Sequence, residues 1–138
     1  RMEQVWMIFL DSWIFIEYFA TKNEKIIKLI EENTNIMIIS SVCITEIKYK
    51  LSKKYGALQA NEIITLINNI QNLKILSVTA EIAELAADLR LKYYSKKNEL
   101  SFIDAINLAT AIMTRCDAFY TGDPDFEDVK EIKIEIVR

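Results

Sequence analysis

The sequence predicts an α/β fold of three layers, with helices on both faces of a central, mostly parallel sheet. Short apolar runs alternate with longer segments at helical spacing along the whole chain, the pattern of strand–helix–strand units. The runs are apolar at consecutive positions, as in strands buried on both faces. Only one proline and two glycines interrupt the 138 residues, so the regular elements should be long and their connections short. That length suits one domain with a real core. It is read here over residues 2–138, because Arg1 stands ahead of Met2 and is expected to be a remnant outside the natural start.

The first strand is expected over Val5 to Leu10, ending at Asp11, and Ser12 to Tyr18 then takes up helical spacing. A second helix spans about Glu24 to Glu32, with Ile26, Ile27 and Ile30 on one face, and Ile36 to Ile39 makes the second strand. From Ser41 the stripe Ile44, Ile47, Leu51 predicts a third helix, closed by Gly56. A fourth runs from about Leu58 to Asn72 and leads to a short strand over Lys74 to Val78. Thr79 caps a helix that reaches about Tyr94, and Ser101 opens another. Asp117 to Thr121 reads as a strand, Pro124 to Asp128 as a turn of helix, and Ile132 to Val137 as the closing strand.

Composition excludes several function classes. There is no histidine, which removes imidazole general bases, catalytic triads built on His, and zinc sites that need it. Cys43 and Cys116 lie in apolar segments without CxxC spacing, so buried thiols in a reducing cytoplasm are expected. The longest apolar stretch, Val5 to Ala20, contains Asp11 and Glu17 and does not suit a membrane span, and no signal-peptide pattern precedes it. The net charge of −3 runs against a nucleic-acid binder, whose phosphate contacts demand Lys and Arg. Acids gathered around divalent cations would invert that local charge.

Four acids map to the carboxyl ends of the predicted strands, where open parallel sheets bind ligands. Asp11 closes the first strand, Glu46 lies early in the helix after the second, Asp104 sits in the first turn of its helix, and Asp123 follows the strand ending at Thr121. Each has a structural explanation. Asp11 or Ser12 can cap a helix, Ser101 and Asp104 have capping-box spacing, Asp123 precedes a proline in N-cap style, and Glu46 can be a solvated helix acid. Asp104 and Glu46 nevertheless leave the backbone within apolar segments, and clustered carboxylates stay ionised only if cations compensate them. Hard oxygen ligands select Mg2+ or Mn2+, and such a cluster suits attack of metal-activated water on a phosphodiester.

The order Leu10-Asp11-Ser12, Thr45-Glu46, Asp104-Ala105 and Thr121-Gly122-Asp123-Pro124-Asp125-Phe126 resembles the PIN domain, particularly toxins of the VapC type. The resemblance covers nearly the whole chain, and the last motif is its most specific part. It implies a Rossmann-like three-layer fold, Mg2+- or Mn2+-dependent ribonuclease activity, an RNA substrate, frequent homodimerisation and a small cognate antitoxin. It assigns metal binding to Asp11, Glu46, Asp104 and Asp123, with Asp125 as a more variable fifth acid and Thr121 and Ser12 as supporting groups. The helices between about Ser41 and Asn72 are the expected place for dimer or antitoxin contacts. Lys50 and Lys53, one and two turns after Glu46, could face the same cleft, although a solvated lysine face is the plainer reading.

Two other classes compete. A catalytically silent PIN-like module for RNA or protein binding would be expected to have lost one or more of the four acids. A receiver-like phosphoacceptor domain needs an acid pair after the first strand and an Asp at a middle strand end, where this chain has Ser40-Ser41.

Overall fold

A computed structural model describes residues 6–138. Five parallel strands, β1 (Met7–Leu10), β2 (Ile36–Ser40), β3 (Leu73–Leu76), β4 (Ala118–Thr121) and β5 (Ile134–Ile136), form one sheet in the order β3-β2-β1-β4-β5. Six helices, α1 (Ser12–Ala20), α2 (Glu24–Glu31), α3 (Ser41–Tyr55), α4 (Ala57–Asn68), α5 (Ala80–Tyr93) and α6 (Phe102–Met113), complete the three-layer α/β/α arrangement. The predicted start at Val5 lies outside the described residues.

The central strands are buried as their unbroken apolar runs require: Ile8, Phe9 and Leu10 of β1 and Met37, Ile38 and Ile39 of β2 are all inaccessible or nearly so. Phe9 and Phe119 stack across the β1–β4 pair at 5.1 Å, and Phe126 closes on Phe119 at 4.7 Å, so the turn after β4 is anchored to the core. Gly56, at φ 91°, both ends α3 and opens α4, a backbone turn that a side chain would strain.

Several elements are shorter than their pattern suggests, α4 and β5 most of all. The helix expected to reach Asn72 stops at Asn68, where successive asparagines of poor helix propensity meet a turn. Asn72 instead donates its side-chain amide to the carbonyls of Asn33 and Asn35, tying the entry of β3 to that of β2. The last strand shrinks to Ile134–Ile136, because an edge strand pairs on one side only and here meets β4 over three residues.

The strand order sets the site. From β1 the chain steps to β2 on one side, while β4 pairs with β1 on the other, so β1 and β4 flank the point where the topology reverses. In open α/β sheets the crevice outside the carboxyl ends of such strands binds ligands.

Candidate active site

Asp11 leaves the end of β1 and is 5% exposed. Its backbone N–H continues the ladder by bonding the Tyr120 carbonyl at 2.9 Å, which brings it level with Thr121 at the end of β4. The Thr121 hydroxyl donates to Asp11 Oδ2 at 2.8 Å and accepts from the Asp123 backbone N–H at 3.0 Å, so one buried hydroxyl fixes two acids relative to each other. Asp11 precedes α1, yet its carboxylate makes no capping bond, which removes the plain capping explanation. Ser12 does not cap either: its hydroxyl donates to Glu46 Oε1 at 2.7 Å and holds α3's acid toward α1.

The capping explanation does hold for the other two acids. Ser101 and Asp104 form a reciprocal capping box at 3.0 and 3.1 Å, and Asp123 accepts from the Asp125 N–H at 2.8 Å, with Pro124 opening the short 3-10 turn Pro124–Phe126. Capping and clustering coexist, since helix starts and strand ends both point into this crevice.

Asp11, Glu46, Asp104 and Asp123 converge on one open cleft of about 330 Å³, walled also by Trp13, Lys50 and Arg138. Burial, with Asp104 and Glu46 nearby and the Thr121 bond opposing, pushes the Asp11 carboxyl from 3.8 up to about 7. Asp104 is raised as well, by burial first and by the charges of Asp123 and Glu46, against the Ser101 hydrogen bonds. These carboxylates oppose one another's ionisation, the condition that a divalent cation relieves. The donor set fits Mg2+ or Mn2+, being hard oxygens with no imidazole or thiol in the lining. Among the described residues, however, no three acidic or cysteine side chains are already drawn together closely enough to hold an ion.

Of the residues expected from sequence, Asp125 is not brought to the cleft; it stands behind Asp123, its N–H bonded to that carboxylate. Lys50 does line it, because four residues along α3 return the chain to the face of Glu46, and Lys53 does not. Trp13, Gly122 and Arg138 are lining residues that no periodicity points to. Arg138 donates Nε to the Gly122 carbonyl at 3.2 Å. Beneath the acids, Ser40 donates to Asn107 at 2.6 Å at the end of β2, so the position where a receiver domain needs its phosphoacceptor Asp holds a buried structural serine.

Gly122 is required by packing. A Cβ there would lie 2.6 Å from the Trp13 ring. Gly122→Ala is expected to displace Trp13 and cost about 1–3 kcal/mol in chemical denaturation; an unchanged midpoint would mean that the ring moves freely. Thr121→Val leaves two partners of the hydroxyl without their bond, and is expected to weaken Mn2+ affinity roughly 10–100-fold in calorimetric titration. Unaltered affinity would show that the backbone alone positions Asp11 and Asp123.

No helix of the described residues is long and apolar enough to cross a membrane. A comparison with curated protein sequences finds no match. Solved structures do share the fold. VapBC2 of Rickettsia felis bound to promoter DNA is 18% identical, with 96% of this chain and 99% of that one covered and a TM-score of 0.78. A toxin–antitoxin complex from Klebsiella pneumoniae is 25% identical, with coverage of 91% and 94% and a TM-score of 0.69. VapC20 of Mycobacterium tuberculosis, described as a sarcin-ricin loop cleaving toxin, is 17% identical, with coverage of 91% and 98% and a TM-score of 0.73. The PIN domain profile matches residues 8–132, from β1 to the approach of β5 and across all four acids of the cleft, and the chain belongs to the PIN domain family.

Proposed function

We propose that the chain is a Mg2+- or Mn2+-dependent endoribonuclease and the toxin of a toxin–antitoxin pair. The observation that carries this reading is the convergence of Asp11, Glu46, Asp104 and Asp123 on one open cleft at the sheet's reversal point. Bound Mg2+ or Mn2+ there supplies activation of water and neutralisation of phosphodiester charge. The four carboxylates would hold the cation, with Thr121 orienting Asp11 and Ser12 orienting Glu46. Lys50 and Arg138, at the cleft wall, would meet substrate phosphates that the acids alone would repel.

The likeness to VapC20, named for cleaving the sarcin-ricin loop, and to toxin–antitoxin complexes supports an RNA substrate and a cognate antitoxin. Tyr49, Leu58 and Leu66 stay exposed on α3 and α4, apolar side chains that an antitoxin or a second copy in a homodimer could cover. The buried free thiols Cys43 and Cys116 suit a cytoplasmic protein. Against a silent module, all four acids are present and line the cleft.

The deciding experiment is incubation of structured RNA with purified wild type and Asp104→Asn in Mg2+, Mn2+ or EDTA. Cleavage by wild type in either metal, and none in EDTA or by the variant, is the expected result. Cleavage that survives EDTA or the substitution would defeat the assignment.

A further inference from the structure

At the start of α6, the helix that carries Asp104, lies an open stack of planar side chains that the fold does not use. Phe102 is the first residue of α6, in the same turn as Asp104, and is 66% exposed. The Arg90 guanidinium from the last turn of α5 lies 4.1 Å from the Phe102 ring and 4.4 Å from that of Tyr94, which is 49% exposed. Arg90 Nε donates to the Leu100 carbonyl at 3.0 Å, which fixes the guanidinium, and among the described residues Arg90 has no carboxylate partner. The intervening turn is tied to the wall of the cleft. Asn98 donates to Asp128 at 2.9 Å, and the Glu99 backbone bonds Asp125, whose own N–H holds Asp123. Lys96 and Lys97 are exposed on that turn, beside the acids Glu99, Asp125 and Asp128.

A rigid aromatic with one side against a guanidinium and much of its surface open is the chemistry that receives an unstacked nucleobase. The exposed Lys96 and Lys97 can meet the phosphates on either side of that base. The position is also apt, since Phe102 and Asp104 are separated by about one helix width, ~10 Å, so a strand crossing α6's start reaches both.

The geometry points to a base-stacking platform: Phe102, backed by Arg90 and Tyr94, holds an unpaired base of single-stranded RNA whose backbone continues into the acid cleft. This rests on the ribonuclease reading and adds a substrate-positioning residue to it.

The test compares wild type, Phe102→Ala and Phe102→Trp in Mn2+. The probes are a fluorescein-labelled, nuclease-resistant phosphorothioate oligoadenylate and its abasic counterpart, read by anisotropy. Phe102→Ala is expected to bind oligoadenylate roughly tenfold more weakly, and Phe102→Trp as tightly as wild type. All three should bind the abasic oligomer alike. On cleaved RNA the alanine variant should raise KM and leave kcat unchanged, and its thermal unfolding should match wild type because the side chain is exposed. Wild-type binding by Phe102→Ala, or an equal loss with the abasic oligomer, overturns the platform. If metal-dependent cleavage persists alongside, the ribonuclease reading stands and the stack is left to a protein partner. If wild type neither binds nor cleaves RNA, both readings fall.

Discussion

Asp11→Asn should abolish cleavage while making the metal-free protein more stable at pH 8. Loss of one anionic metal ligand removes several kcal/mol of transition-state stabilisation, and at about 1.36 kcal/mol per tenfold this is a fall of roughly a thousandfold or more. The geometry should survive, because asparagine keeps an oxygen that can accept the 2.8 Å bond from Thr121. Stability should move the other way. Asp11 is buried, Asp104 and Glu46 face it, and its carboxyl is pushed up to about 7, so its ionised form at pH 8 works against the fold. A neutral amide ends that opposition. Single-turnover kinetics with urea denaturation of the same preparations checks both halves. Loss of activity accompanied by loss of stability would make Asp11 a structural residue, and retained activity would remove it from the metal set.

The sequence and the structure agree most closely where local chemistry is decisive. Asp11 at the end of an apolar run, Ser101 three residues before Asp104, and Asp123 before Pro124 each announce a boundary, and each boundary lies where expected. The parallel sheet follows from runs such as Phe9–Leu10 and Met37–Ile39 that leave no polar face. What periodicity cannot carry is contact between distant segments. Arg138 reaches the cleft only because β5 runs parallel to β4 and delivers the chain's last residues beside Gly122. Trp13 is a wall residue because Gly122 lacks a Cβ, a fact held by two positions more than a hundred residues apart. Asp125 shows the opposite: its motif position resembles a ligand, but its N–H donates to the capping carboxylate of Asp123 and it is not among the residues lining the cleft. Capping and a place in the cleft are compatible explanations. Asp104's carboxylate holds Ser101's backbone and still feels the charges of Asp123 and Glu46.

The metal-free protein should lose stability as pH rises from about 4 to about 7, and divalent metal should restore it. Asp11 in the unfolded chain releases its proton near 3.8, whereas the folded chain keeps it up to about 7. Between those values the native state binds more protons than the unfolded one, so by linkage stability falls with rising pH and levels off above the folded value. Full expression of that displacement amounts to about 4 kcal/mol at 1.36 kcal/mol per pH unit, and Asp104, also raised, acts in the same direction. Mn2+ binds the ionised carboxylates of the folded state and so favours it in proportion to its concentration over Kd. Denaturation midpoints in EDTA from pH 4.5 to 8, for wild type and Asp11→Asn, isolate the contribution, because groups common to both cancel in the difference. The difference should be small at pH 4.5, grow toward pH 7 in favour of the variant, and reverse at pH 8 once Mn2+ is added. A difference that stays constant with pH would mean that Asp11 ionises in the folded chain as it does in the unfolded one, and that its neighbours exert no pressure for a cation to relieve.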